Sequence, residues 1–549
     1  MIITCNGQNV SMPEGASALD CLKAAGLPLK GVLAASGGGR VYELNEPVRQ
    51  DTALWPQTLQ QEEGRRIYER SIRFVMLLAV RRLWPGYRVR VEYSVGSGVF
   101  VRLPDKQLSA EDLQALEAEM RTLTSADLAF TKRRWRLADA IRYFEEDGQA
   151  DKVALLRLRP YDYFNMYCLD GMWEYFYGAM VPSTGYVPLF ALTPWNGGFV
   201  LRYPSAASPE AVPPYVDRPK HLRVFAESAR WCGILGVENT ADIAAMTREG
   251  HMRDFIRVNE ALHDKAIARI ADEIHDGGKR VVLIAGPSSS GKTTFARRLV
   301  IHLRVLGMHP LLVSLDNYYL NRTQVPLQPN GEADLESIHA LDLPLIQEQV
   351  NRLLEGETVL IPRYSFRNGS RETEGIPAVL GDGEPIILEG IHALNPLMRE
   401  DLPQAQVYRI FVSALTCLNL DDHNRIRTTD VRLLRRMVRD WQFRGTTPEG
   451  TLSMWDSVRD GERTWIFPWQ EESDAMFNTA LHYELPFLKA TIGDALERIP
   501  ADHPHRLKAQ RILKTLHYIP EAPRELWNEI PPTSILREFI GGLTFDQEA

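Results

Sequence analysis

Cysteine is scarce in this chain. Its five residues, Cys5, Cys21, Cys168, Cys232 and Cys417, are odd in number, scattered, and never form a CxxC pair. That excludes a disulfide framework and a structural zinc cluster, and it fits a reducing compartment. Long apolar runs are missing too. The strongest, Phe74 to Val80, falls far below the ~20 residues that span a bilayer. The N-terminus has no basic segment followed by an apolar stretch, so the expectation is no signal peptide, a cytoplasmic location and no membrane partner. An excess of positive charge is also lacking. Lys plus Arg total 63 against 71 Asp plus Glu, a net charge of −8. Nucleic acid is therefore not the default partner, although a local basic patch stays open. There is no internal repeat and no low-complexity tract. What is present, 549 residues of which 44% are hydrophobic and 24% charged, is an ordinary globular composition with room for about three or four domains.

Residues 1–60 read as a small module. Short strands flank Asn6-Gly7, a helix covers about Ser17 to Ala25, and two more strands surround Gly37-Gly38-Gly39. Residues 61–205 read as an α+β domain, with a helix from Arg66 to Trp84, strands Val89–Val95 and Val99–Leu103, and a helix over Ala110–Thr122. The proline-rich stretch Pro204–Pro219 opens a linker and helical connector over 206–278, ending in a long helix near Asp254–His275. From 279 to 498, apolar strands at Val281–Ala285, Leu311–Leu315, Pro385–Leu388 and Val407–Val412 alternate with helical patterns. Continuous apolar strands separated by helices predict an α/β fold with a doubly wound parallel sheet. Residues 499–549 read as a C-terminal helical extension.

The strongest motif is Gly286-Pro287-Ser288-Ser289-Ser290-Gly291-Lys292-Thr293-Thr294, which fits G-x-x-x-x-G-K-[ST] between a strand and a helix. Its amides and helix N-terminus suit phosphate, Lys292 suits the outer phosphates, and Thr293 suits Mg²⁺. Asp316, at the end of the next strand, can take a proton from an attacking hydroxyl, sit near Mg²⁺, or simply start a turn. Glu389, at the tip of Pro385–Leu388, is a Mg²⁺ partner or a strand-capping acid. Arg432, Arg435, Arg436 and Arg439 share one helix face, with Arg444-Gly445 at the helix end. Leu434, Met437, Val438 and Trp441 share another face and are expected to anchor the helix. The arginine row reads either as a solvated face or as a lid that closes on ATP.

In this order the four elements resemble the phosphoribulokinase and uridine kinase family of P-loop kinases, over about Lys279 to Leu496. The resemblance implies ATP and Mg²⁺ as cofactors. It implies Asp316 and Lys292 as catalytic residues, with Arg439 and Arg444 at the transferring phosphoryl group and Arg436 beside the nucleotide. It implies Thr293, Glu389 and Asp316 at the metal, and Tyr319 and Tyr364 at the substrate. The acid that holds the ribose in uridine kinases falls on His339 in the best ungapped match, with Asp334, Glu336 and Asp342 nearby. A base-contacting His falls on Gly369, the acid after the substrate tyrosine on Ser365, and a further lid arginine on Thr446.

The N-terminal half resembles other modules. Residues 1–60 look like a TGS (β-grasp) domain. Residues 62–203 look like the editing domain of threonyl-tRNA synthetase, through Leu83-Trp84-Pro85-Gly86, Gly96-Ser97-Gly98-Val99-Phe100 and Gly178-Ala179-Met180-Val181-Pro182. The four hydrolytic positions of that domain read Arg70, Phe74, Phe176 and Met180, so no editing activity is expected. The whole order resembles a bacterial group of fused uridine-kinase-like proteins. The resulting expectation is a kinase acting on the 5′-hydroxyl of a nucleoside. A sugar, sugar phosphate or other alcohol is the alternative acceptor, and an RNA-associated protein with ATP as a switch is a third reading. Homo-oligomerisation is left open.

Overall fold

Alternation along the strand Val281–Ala285 explains the core of the C-terminal half. Val282 and Ile284 enter one apolar cluster, while Val281, Leu283 and Ala285 enter another on the opposite face. A strand with no polar face must be covered on both sides. In the computed structural model, which describes residues 1–96, 98–328, 331–400 and 402–545, it is the central strand of a five-stranded sheet. The spatial order is Leu311–Ser314, Ile386–Glu389, Val281–Ala285, Val407–Ser413 and Ala475–Asn478, every pair parallel. The sequence pattern marks four of these strands. The fifth, Ala475-Met476-Phe477-Asn478, is short, sits at the edge and has no β-branched side chain in its three-residue apolar run.

Before this sheet the chain builds three others. A five-stranded sheet is formed by Gln8–Ser11, Ile2–Cys5, Thr52–Gln57, Ala34–Gly37 and Arg40–Glu43, in that spatial order, with the second and third strands parallel. A four-stranded antiparallel sheet joins Ala191–Trp195, Gly198–Arg202, Gly98–Arg102 and Arg90–Val95. A three-stranded antiparallel sheet joins Met172–Glu174, Tyr163–Leu169 and Thr131–Arg136. The helix expected from Arg66 begins at Glu62, and its residues from Arg66 to Val80 are nearly all buried. Ser97, in the expected Gly96-Ser97-Gly98 turn, lies outside the described residues.

The segment read as a connector contributes to the sheet core. The helix Met252–Asp276 packs against the helix Lys292–Val305, and Ile256, Ile267 and Ile274 join the same cluster as Val282 and Ile284. The helix Thr428–Phe443 buries Val431, Leu434, Met437 and Val438 as its pattern demands. Trp441, expected to anchor it, is 45% exposed instead, because the last turn leaves the core. So anchored, this helix packs as a wall beside the sheet.

The halves are joined by buried charge. Lys152 meets Glu174 at 2.9 Å and Asp421 at 3.0 Å, and His423 meets Glu174 at 2.7 Å. Burial alone would push the Glu174 carboxyl up, but Lys152 and His423 hold it down to about 2. Arg90 reaches Asp422 at 2.9 Å, Arg66 reaches Asp430 at 3.1 Å, and Arg425 reaches Glu69 at 3.4 Å. Removing one member strands the others without compensation. Lys152→Met is therefore expected to cost about 3–5 kcal/mol, read as a lower midpoint in urea unfolding.

Candidate active site

The phosphate loop leaves the C-terminal end of the central strand and enters the helix Lys292–Val305. A β-carbon at Gly286 would collide with the Val412 carbonyl, and one at Gly291, where φ is +81°, would collide with Ile535. Both positions therefore admit only glycine. Ser289 holds a left-handed φ of 57°. The hydroxyls of Ser289 and Ser290 are buried without a partner, and the Lys292 ammonium folds back to the Pro287 carbonyl at 3.3 Å. Buried orphan donors inside a ring of amides fit a phosphate tail.

Around the loop the structure gathers the expected acids and bases. Glu389 is buried and accepts from the Thr293 hydroxyl at 3.2 Å and the Ser314 hydroxyl at 3.1 Å. Burial, reinforced by Asp316, pushes its carboxyl up to about 7, with Lys292 pulling the other way. Asp316 sits in a short 3-10 turn, Leu315–Tyr318, directly after the strand Leu311–Ser314. Its carboxylate opens to solvent, yet the surrounding walls raise its pKa against the pull of Lys292, Arg444 and Arg439. Lys292 is itself lowered by burial. Thr293, Glu389 and Asp316 present hard oxygen donors, the set that suits a divalent cation beside phosphate.

The arginine row divides in two. Arg432 and Arg435 are 1% and 0% exposed, bound to Glu462 and Glu484 respectively. They are structural. Arg432 also donates to the Ser288 carbonyl at 3.0 Å, while Glu462 accepts from the Ser288 amide at 3.1 Å, so the pair clamps the loop. Arg436 donates to the Ser288 hydroxyl at 2.7 Å. Arg436, Arg439 and Arg444 converge on one buried carboxylate, Asp440, at 3.3, 3.1 and 3.6 Å. One acid thus holds three guanidinium groups beside the cleft.

On the acceptor side, Tyr319, Tyr364 and Phe366 form a ring cluster with centroids 5.0–5.6 Å apart. The Tyr319 hydroxyl donates to the Leu335 carbonyl at 3.0 Å, while the buried Tyr364 hydroxyl has no partner. His339 is exposed, and its ring meets Trp465 edge-on at 5.7 Å. Among the nearby acids, Asp342 is spent on Arg371 at 3.0 Å. Glu336 couples to Arg436 and Lys292, and burial lifts its carboxyl to about 7. Gly369 has φ +67° with Arg322 packed against it, which accounts for the absence of a side chain there.

Four further residues stand at this site without a motif of their own: Asp440, Glu462, Glu538 and His392. His392 is buried, and neither ring nitrogen makes a hydrogen bond of ordinary geometry; burial, with Lys292 nearby, pushes its pKa down to about 3. Its position three residues after Glu389 was the one available signal. Glu538, from the C-terminal extension, accepts from the Thr294 hydroxyl at 2.7 Å and the Thr294 amide at 3.3 Å. Nothing local in the sequence marks that contact, which joins residues 244 apart.

The model of the phosphoribulokinase / uridine kinase family matches residues 281–484. A uridine kinase from Lactobacillus helveticus is 30% identical over 175 residues, covering 32% of this chain and 74% of that protein. The chain belongs to the phosphoribulokinase / uridine kinase family. Its C-terminal half is a P-loop kinase, a nucleotide-binding phosphotransferase. The N-terminal part is similar to threonine–tRNA ligases. That of Nitratidesulfovibrio vulgaris (strain DSM 19637 / Miyazaki F) is 30% identical over 203 residues, 36% of this chain but only 32% of the ligase. The chain thus spans about a third of that relative's length. Among solved structures, a possible uridine kinase from Bacillus stearothermophilus aligns at 19% identity with a TM-score of 0.27, covering 39% of this chain and 98% of that one.

The Glu538 carboxylate occupies donors at the N-terminus of the loop helix, where a bound phosphate would compete for them. Glu538→Gln is expected to tighten nucleotide binding about threefold to tenfold, by removing like charge from the phosphate cradle. Titration calorimetry with a non-hydrolysable ATP analogue checks this; weaker binding would mean that the contact supports the loop.

Proposed function

We propose that the protein transfers the γ-phosphoryl group of ATP to a primary hydroxyl of a small molecule, with the 5′-hydroxyl of a nucleoside as the best-supported acceptor. One observation carries this reading: Glu389 and Arg436 hydrogen-bond residues of one phosphate loop, and Lys292 of that loop lies within electrostatic reach of Asp316, Glu389 and Arg439. The loop amides and Lys292 hold the β- and γ-phosphates. Asp316 orients the acceptor hydroxyl and takes its proton, a task suited to a carboxyl whose pKa is raised toward the working pH. Arg436, Arg439 and Arg444 stabilise charge on the transferring group.

Mg²⁺ would be held by the Thr293 hydroxyl and the carboxylates of Glu389 and Asp316, completed by phosphate oxygens and water. When bound, it supplies charge neutralisation at the phosphates.

Tyr364, with its unpartnered hydroxyl, and Glu336 are positioned to receive the acceptor, Glu336 in the role first read onto His339. The alternative acceptor, a sugar, sugar phosphate or other alcohol, is favoured by one observation: the turn at Gly369 leaves no base-contacting side chain.

A panel of nucleosides and sugars, read by product mass, decides between them. Uridine or cytidine is expected to give the 5′-monophosphate, and turnover of sugars alone would select the second reading. Asp316→Asn is expected to lower kcat at least about a thousandfold with the fold intact; a rate near the native one would remove Asp316 as the base.

The pH dependence has a definite sign. Folding raises the Glu389 carboxyl from its ordinary 4.5 to about 7. Its ionisation therefore costs stability progressively as the pH rises from 4.5 to about 7, and a cation offsets that cost only once the group is ionised. Addition of MgCl2 is expected to raise the melting temperature at pH 8 more than at pH 5.5, and Glu389→Gln is expected to abolish the difference.

A further inference from the structure

A second cavity, of about 820 Å³, lies between the strands Thr131–Arg136 and Tyr163–Leu169 and the C-terminal helix Arg506–Leu516. It shares no lining residue with the phosphate loop. Arg70 and Phe176, two of the four positions read as lost hydrolytic residues, form part of its wall. The other two, Phe74 and Met180, are buried in the adjoining core. These four side chains are not expected to support hydrolysis, but the opening remains, and its charge is unlike the net charge of the chain.

Five cations line the cavity without a carboxylate partner among the described residues. Arg70 donates to the Ala179 carbonyl, and Arg159 to the hydroxyls of Tyr175 and Tyr518. Arg506 donates to the carbonyls of Glu497 and Ile499, and Arg134 lies over the Tyr163 ring at 5.0 Å. Lys514 has no partner and stands exposed. The only acids in the lining are Glu46 and Glu63. Glu46 is taken by Arg40 and Lys132, and Glu63 by Arg511 at 2.9 Å. The crowding is energetic as well as geometric: desolvation by the cavity walls, then Arg70, Arg159 and Lys132, push the Lys514 pKa down, while Glu63 pulls it up. A protein of net charge −8 that concentrates unpaired cations in one concave site focuses a positive field there.

Two further features refine the ligand. Tyr161 and Tyr163 stand 53% and 47% exposed, with Arg159 over the first ring at 5.7 Å and Arg134 over the second at 5.0 Å. The Tyr177 hydroxyl is buried in the lining without a hydrogen-bond partner. Guanidinium groups without a carboxylate suit phosphate, and exposed rings suit a base. The cations converge within one cavity rather than following a track, so the fit is to a compact ligand rather than to a long strand.

We propose that this cleft binds a free polyphosphate-bearing nucleotide, its phosphates among Arg70, Arg159 and Lys514 and its base against the exposed tyrosines. This assignment is independent of the kinase reading.

The test titrates GTP, and separately inorganic tripolyphosphate, into the full-length Lys292→Ala chain, whose phosphate loop has lost its cation. The expected result is GTP binding tighter than tripolyphosphate. With Arg134→Glu and Lys514→Glu added, GTP binding should weaken at least about tenfold. Both residues are exposed, so these changes leave the core alone, and an unchanged melting temperature verifies it. Tyr177→Phe supplies a second variant that removes only a hydroxyl and is expected to weaken GTP binding severalfold. The proposal is overturned by absent GTP binding, by GTP affinity indifferent to the charge reversals, by equal affinity for the two ligands, or by binding of single-stranded RNA alone.

Discussion

A loop that must run without side chains at Gly286 and Gly291 determines where everything else in the kinase half can stand. On one side is the carbonyl of Val412, on the other Ile535 of the C-terminal segment, and neither leaves room for a β-carbon. The loop is held there by contacts from distant chain. Glu462 takes the Ser288 amide, Arg432 takes its carbonyl, and the Thr479 hydroxyl takes the Ser290 carbonyl at 2.6 Å. A cradle so braced offers its free donors in one geometry, which is what electrostatic stabilisation of a transferring phosphoryl group requires.

The arginine helix shows how burial assigns roles to identical side chains. Arg432 and Arg435 point into the interior, where only a fully matched carboxylate offsets desolvation, and each has one. Arg436, Arg439 and Arg444 sit where the helix emerges, tethered by Asp440 and still able to face the cleft. The same helix is both a structural wall and a source of charge.

The two halves are not beads on a string. The Asp421–Asp422–His423 segment carries charges that find their opposite charges in the other half, in Lys152, Glu174 and Arg90. Separating the halves would expose or orphan those groups, so the junction is rigid for an electrostatic reason. The C-terminal extension adds to this union, closing the basic cleft with Arg506–Leu516 and then touching the phosphate loop through Ile535 and Glu538.

What the sequence determined by itself was whatever is local. The phosphate loop is nine consecutive residues; four of the five strands of the parallel sheet are runs of adjacent apolar side chains; Asp316 and Glu389 are legible because each follows such a strand directly. The edge strand Ala475–Asn478 was not legible, because its three-residue apolar run has no β-branched side chain to mark it as a strand. Tertiary structure alone decided which arginines are buried, that His339 lies against Trp465 while Glu336 couples to Lys292, and that Glu538 meets Thr294. It alone brought five unpaired cations into one cleft. The reason is physical: a charge's role depends on what neutralises it. In this protein the neutralising partner is often far along the chain, as with Ser288 and Glu462, 174 residues apart, so no window of sequence contains both.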